Sequence, residues 1–391
     1  MNIPDPPGKS PREKSRRVFF ISIIVLINFI VLEIFSYTLA QTFPQFMSNA
    51  EDYAEDFDNY ENYRSFSERI YNPEIGWENF RNKTRYSINC LGNLYPLTMD
   101  QNGARSSPVP GEPEIIFVGD SYTQGRELLN LQDYPSRLSV LLGLPVVNYG
   151  VSGFDPYQST LLLKQKIPLH PQLKIAVLGI MYENIRRLRT RYRYVMHYSV
   201  HSAFMYKPWL DVVNNKVVVY ENPNRELAES SDELKKRAIN AINNDFYAPE
   251  PFKFPYTLGL INALMKKSIQ IRFLEIFRPM YRQYYNDDEY SKIMKFAVRN
   301  FIEQSRHYGL RPIVLFIPGN RRDTTSPDKM TREINSQYGK NLVYNAGNMD
   351  IDWDLYNILP GKCHPSEYGQ ESLARFLVQI VESVMEEETG S

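Results

Sequence analysis

The longest unbroken apolar stretch covers residues 18–40, where Asn28 and Glu33 are the strongly polar exceptions. A run of that length predicts a helix able to cross a bilayer, and it exceeds the usual core of a signal peptide. Beyond it the pattern changes. Ile115-Ile116-Phe117-Val118 and the segments 144–153, 174–184 and 311–318 are short β-favouring runs closed by glycine, asparagine or proline, which predicts buried strands. Residues 291–308 instead space Ile293, Phe296, Val298, Phe301 and Ile302 as one face of an amphipathic helix. Buried strands alternating with such helices predict an α/β domain around a parallel sheet.

Chemistry collects where these strands end. Gly119-Asp120-Ser121-Tyr122 directly follows the first strand, so Ser121 lies at a carboxyl edge, where open parallel sheets bind ligands. The triplet alone also describes an ordinary turn with a capping serine. The second strand runs out at Gly153 and the third at Asn184, and each supplies an N–H donor. With the N–H of Ser121 they form a candidate oxyanion site. Far downstream, Cys363-His364-Pro365-Ser366 opens a helix, and His364 is the candidate base that takes the serine proton and returns one to the leaving alcohol.

Four blocks then stand in order: GDSYTQG from Gly119, NYGVSGFD from Asn148, LGIMYEN ending at Asn184, and CHPSEYG from Cys363. In this set the chain resembles the SGNH, or GDSL-type, hydrolase superfamily over residues 112–184 and 292–385. The resemblance implies a three-layer α/β/α sandwich with a parallel, flavodoxin-like sheet. It also implies Ser121 as nucleophile, Gly153 and Asn184 as oxyanion donors, and His364 as base; no cofactor and no metal are expected, because no other candidate motif in the chain holds. The family's aspartate, three residues before the histidine, is replaced by Gly361. Asp352 or Asp354 could reach back to His364, or a backbone carbonyl could hold the imidazole in a serine-histidine dyad. The third block also reads Glu183-Asn184-Ile185 where glycine-asparagine-aspartate is commoner.

Charge sets the topology. Lys9, Arg12, Lys14, Arg16 and Arg17 precede the apolar run, and Glu51, Asp52, Glu55, Asp56 and Asp58 follow it. The positive-inside rule therefore keeps residues 1–17 cytoplasmic and exports everything after the run; 18–40 is read as an uncleaved anchor, the alternative being a signal removed after Thr38-Leu39-Ala40, where threonine fits the small-residue cleavage pattern poorly. Within the span, Glu33 either meets a partner helix or lies near the outer interface and reaches toward water. The 45 basic and 45 acidic residues balance, which argues against a nucleic-acid partner.

The remaining organisation is a stalk and lead-in over 41–111, a hydrolase domain over 112–385 and a tail over 386–391. About 125 residues separate Asn184 from the next core strand, far more than a crossover needs, so 186–290 is read as a helical insertion forming a lid or lobe. It begins with arginine and tyrosine alternating over 186–194, which either contacts an acidic sugar, packs within the lobe or faces anionic lipid headgroups. Cys90 and Cys363, both exported, form a disulfide beside His364 or remain two buried thiols. Gly8-Lys9-Ser10 lacks the frame of a phosphate loop, His197 and His201 lack a metalloprotease glutamate, and Asp287-Asp288-Glu289 lacks the alternation of a calcium loop.

The expected activity is hydrolysis or transfer of an acyl ester. The expected substrate is an O-acetyl group on an envelope or secreted polysaccharide, with export or acetylation machinery as partner. The rival is a catalytically weak binding or assembly component of a polysaccharide export complex.

Overall fold

The computed structural model describes residues 11–44, 46–57, 63–64, 70–105, 107–197, 202, 204–277, 281–319, 323–339, 341–359 and 362–389. The tail motif Gly8-Lys9-Ser10, His201 and Gly361 lie outside them, as does the side chain of His197.

Helix α1 (Pro11–Thr42) contains the apolar run. Its residues 15–42 are long and apolar enough to cross a membrane, and almost all of that surface faces outward. The lead-in follows as a 3-10 turn (Ala50–Phe57) and two antiparallel pairs. These are β1 (Tyr71–Asn72) with β2 (Gly76–Trp77), and β3 (Lys83–Ile88) with β4 (Leu94–Met99).

The central sheet is built from β5 (Ile115–Gly119), β6 (Val146–Asn148) and β7 (Ile175–Met181), joined through α2 (Ser121–Gln124), α3 (Tyr134–Leu142) and α4 (Pro156–Lys166). After β7 come α5 (Asn184–Arg187) and α6 (Tyr194–His197), the hairpin β8 (Trp209–Val213) and β9 (Lys216–Tyr220), and α7 (Ser231–Asn244). Three further helices, α8 (Tyr256–Met265), α9 (Lys267–Phe277) and α10 (Arg282–Asn286), lead to α11 (Asp288–His307). The chain then re-enters the sheet as β10 (Arg311–Ile317), α12 (Asp328–Tyr338) and β11 (Val343–Asn345), and finishes with the pair β12 (Asn357–Leu359) and β13 (Lys362–Pro365) and helix α13 (Glu367–Thr389).

The five sheet strands are all parallel, in the order β6-β5-β7-β10-β11. Numbered by their own sequence, they read 2-1-3-4-5, the flavodoxin-like order, which reverses between β5 and β7. Both faces are covered, so the strands are apolar throughout rather than alternating. Ile116, Val118, Leu178 and Phe316 join one core with the buried side of α11, while Ile115, Phe117, Val177 and Leu315 join the other with Leu373 and Leu377 of α13. Each such fully buried side chain contributes about 1.5–3 kcal/mol relative to exposure.

Two expectations change. Residues 41–111 are not a stalk standing clear of the domain. Phe46, Met47, Ala50 and Phe57 are buried, and the Phe46–Ser48 backbone exchanges hydrogen bonds with Glu250 of the insertion. Further along, Trp77 Nε1 donates to Ser152 O at 3.1 Å and Asn79 Nδ2 to Gly150 O at 2.9 Å, so the lead-in is built into the loop carrying Gly153. The sequence hid this because the docking is aromatic and nonlocal, as where the Phe57 ring meets Tyr194 at 5.2 Å. The insertion, in turn, contains the β8–β9 hairpin as well as helices.

The insertion is tied to the core by a buried ion pair, Lys207 Nζ to Asp155 Oδ2 at 2.6 Å, both side chains being 1% exposed. Burial pushes the Lys207 ammonium down from its ordinary range, opposed by Asp155. Asp155 also caps α4 through the amides of Tyr157 and Gln158. Lys207→Met, which leaves that carboxylate buried and unpaired, is expected to cost about 3–5 kcal/mol in denaturant unfolding. A loss below 1 kcal/mol would remove Lys207 from this role.

Candidate active site

Ser121 sits where β5 breaks into α2, at the point where the strand order reverses. Asp120 makes the turn: its Oδ1 accepts from Tyr122 N at 2.9 Å and caps α2. The late histidine comes in on β13. His364 Nε2 lies 2.9 Å from Ser121 Oγ, and the His364 ring packs against Tyr122, 5.4 Å between centroids.

The group behind the histidine is Glu127, six residues after the serine. Its Oε1 lies 3.2 Å from His364 Nδ1. The Nδ1 contact has the distance of an ion pair without the alignment of a straight hydrogen bond, since Nδ1 and Glu127 Oε2 have no aligned hydrogen-bond partner. Catalytic hydrogen bonds are often loose before substrate binds. Burial pushes the Glu127 carboxyl up, and the bonds from His364 outweigh it and hold the group below the usual glutamate range. With Nδ1–H facing the carboxylate, the Nε2 lone pair is directed at the serine.

Asp352 and Asp354, expected as alternatives, do not fill this place. Both are exposed, and Asp352 Oδ1 accepts from the Asp354 backbone at 2.9 Å in a local turn. Glu127 escaped notice because it sits in an irregular loop with φ 74°, far in sequence from the histidine it faces.

Gly153 and Asn184 are both buried beside this turn. Asn184 begins α5, its side chain lies beside Asp120, the residue before the serine, and its Oδ1 is buried without a partner. Arg187, from the arginine-tyrosine run 186–194, joins the three loops. It pairs with Asp120 Oδ2 at 3.3 Å and Glu183 Oε1 at 3.3 Å, and donates to Phe154 O at 3.1 Å. Burial pushes Asp120 up from its ordinary range, and Arg187 opposes it.

Gly153 has φ 86°, and Arg193 Nη1 donates to its carbonyl at 3.0 Å. Burial, and next the charge of Arg187, push the Arg193 guanidinium down to about 9. A methyl group on Gly153 would stand 2.8 Å from Arg193 Cζ. Gly153→Ala is therefore expected to carry a backbone strain of about 1–2 kcal/mol and to displace Arg193, lowering turnover more than substrate affinity. Steady-state kinetics with unchanged kcat would remove Gly153 from the oxyanion site.

The arginines of 186–194 mostly pack internally. Arg186 pairs with Glu183 at 2.9 Å, Arg189 pairs with Glu289 at 2.8 Å while lying 3.7 Å over Phe246, and Arg191 lies 4.4 Å over Trp209. An open cavity of about 360 Å³ adjoins the site instead, bounded by Gln124 of the serine helix and Ser152 of the glycine loop. Phe80, Arg85 and Tyr95 of the lead-in line its other side.

Cys90 and Cys363 form a disulfide across a sequence separation of 273. Both sulfurs lie within 4.8 Å of the Glu127 carboxylate, so the bond closes over the acid and the base together. Because the sulfurs are joined to each other, this trio is not a metal site. Cys90→Ser is expected to cost about 2–5 kcal/mol of stability. Since the tether ends next to His364, reductant is expected to depress turnover at temperatures where the domain remains folded. Equal activity with and without reductant, in samples whose free thiols are counted, would contradict a role for the tether.

No family model matches the chain, and no curated protein does. Among solved structures, it is similar to a lipolytic protein of the G-D-S-L family from Desulfitobacterium hafniense DCB-2, at 12% identity and a TM-score of 0.33, over 68% of this chain and 98% of that one. A second, a member of the lipolytic protein G-D-S-L family from Veillonella parvula DSM 2008, has 10% identity and a TM-score of 0.23, over 68% of this chain and 96% of that one.

Proposed function

We propose that this chain is an SGNH-type serine ester hydrolase or acyl-transfer enzyme, anchored by α1 with its catalytic domain exported. The observation that carries the reading is the line from Ser121 Oγ through His364 to Glu127, with spacings of 2.9 and 3.2 Å, at the reversal point of a parallel sheet. Ser121 Oγ attacks the ester carbonyl carbon as its proton passes to His364 Nε2. The N–H of Ser121, the N–H of Gly153 and the amide of Asn184 stabilise the oxyanion. The bond to the leaving alcohol then breaks, and the alcohol leaves with the proton from His364. Water or a second hydroxyl attacks the acyl-serine, giving its proton to His364, and Ser121 is released with a proton restored. Glu127 orients the imidazole and stabilises its charged form without itself taking the proton.

The substrate we propose is an O-acetyl ester on an envelope or secreted polysaccharide. The cavity beside the site combines aromatic rings with arginine, and Arg85 lies 4.8 Å over the Phe80 ring, a lining suited to sugar faces and acidic groups. Export or acetylation machinery is the proposed partner. The basic flank before the apolar run 18–40 and the acidic segment after it support the orientation. The rival, a binding component that had lost its acid, has weaker grounds because Glu127 stands at His364.

The test is to quench the full-length protein during turnover of p-nitrophenyl acetate and map the acyl group by mass spectrometry. The reading expects an acetyl group on the peptide holding Ser121, lost on adding hydroxylamine. Acetylation elsewhere, with Ser121 unmodified, would contradict it.

A further inference from the structure

Helix α8 starts beside α1. Its first two amides, Tyr256 N and Thr257 N, donate to the Glu33 carboxylate at 2.6 and 3.1 Å, and Ser36 Oγ lies 3.3 Å from Thr257 Oγ1. Just before the helix, Phe254 meets Phe29 edge-on with ring centroids 6.3 Å apart, and Phe252 meets Tyr37 at 5.5 Å. At the other end, Ala263 and Ile269 share a small core with Ala40, Phe46 and Met47. The segment 252–263 thus runs alongside α1, down to the level of Phe29. That level lies about 20 Å along the helix from Thr42.

Two features of this segment have no use in water. First, a helix N-terminus exposes amides that water satisfies freely, whereas in hydrocarbon each unsatisfied amide costs several kcal/mol. Here Glu33, from within the apolar span and only 7% exposed, supplies the acceptor. Second, the side turned away from α1 is apolar and open: Phe254 is 64% exposed, Leu258 56%, Ile261 50% and Met265 74%. This surface continues directly into that of α1, where Phe29 and Ile30 are also exposed. Patches of that kind on a soluble domain mark a binding surface.

We infer that residues 252–265 are immersed in the outer hydrocarbon leaflet beside α1, so that the catalytic domain is clamped to the bilayer surface by the insertion. The inference rests on the proposed reading of α1 as a membrane span, and the occupant of the exposed face is lipid acyl chain. Continuity with the surface of α1 favours lipid over a protein partner, and the amides that begin the helix already have an acceptor within the chain. The one charge in the segment, Lys253, has a stem long enough to carry its ammonium toward headgroups. Glu33, read from sequence as either meeting a partner helix or reaching toward water, is thereby placed on a partner helix from its own chain.

The test uses the full chain in lipid nanodiscs, with single cysteines carrying a nitroxide at Phe29→Cys, Phe254→Cys, Ile261→Cys and the exposed hairpin position Lys216→Cys. The native cysteines are paired and do not compete for label. Relaxation by oxygen reports lipid, and relaxation by a water-soluble nickel chelate reports water. The proposal expects the labels at 254 and 261 to match the label at 29, relaxed by oxygen with loss of the nickel effect, and the label at 216 to show the reverse. Labels at 254 and 261 open to nickel while the label at 29 stays in lipid would overturn the proposal and leave the span intact. A label at 29 open to nickel would remove the span reading and the proposal with it. Labels at 254 and 261 shielded from both reagents would mean that a protein covers the face, which also overturns it. Agreement between 254 and 261 guards against local damage by either substitution.

Discussion

Ser121→Ala is expected to lower kcat/KM for a simple ester by roughly four to six orders of magnitude, with His364→Ala close behind and the double variant no worse than either. The size follows from the geometry. Ser121 Oγ has a histidine base at 2.9 Å, and a nucleophile without its base, or a base without its nucleophile, leaves only binding and oxyanion stabilisation. Both variants should stay folded, because removing Oγ or the ring leaves the caps from Asp120 and the Tyr122 hydroxyl bond to Gly319 O in place. Additive losses in the double variant would show that the two do not act as a unit.

Glu127→Gln is expected to lower kcat by about two to four orders of magnitude with little change in KM, because an acid that orients the base contributes less than the base itself. Glutamine keeps the size while removing the charge behind Nδ1. Asp352→Asn and Asp354→Asn should leave the rate unchanged. If either aspartate variant falls while Glu127→Gln does not, the acid has been misassigned. The pH dependence of stability gives a second check. The folded-state value of Glu127 is depressed by His364, so its stabilising contribution is fully present above the ordinary glutamate range and is lost as pH falls through the lowered value. The stability gap between wild type and Glu127→Gln should therefore narrow as the pH falls below the ordinary glutamate range.

The contrast between what the sequence disclosed and what it concealed has a physical basis. Strands buried on both faces read as continuous apolar runs, so β5, β7 and β10 were visible, and with them the edge carrying Ser121 and Asn184. Gly153 was visible because its block follows a strand, as does that of Ser121. Glu127 was not, because an acid can approach a histidine from any loop, and its positive φ belongs to no regular element. The docking of the lead-in was equally hidden. Single contacts such as Trp77 to Ser152 hold it, and these leave no period in the sequence. α8 falls within the insertion that was read as helical, but its place beside Glu33 depends on a pairing 223 residues apart.

The central claim is that Ser121 is an activated nucleophile, and the most direct measurement is labelling of the full-length, detergent-solubilised protein with a fluorophosphonate, comparing wild type with Ser121→Ala and His364→Ala. The account predicts rapid stoichiometric labelling of the wild type, none of Ser121→Ala and sharply slowed labelling of His364→Ala. A folded wild-type protein that takes no label, or equal labelling of wild type and Ser121→Ala, would contradict it.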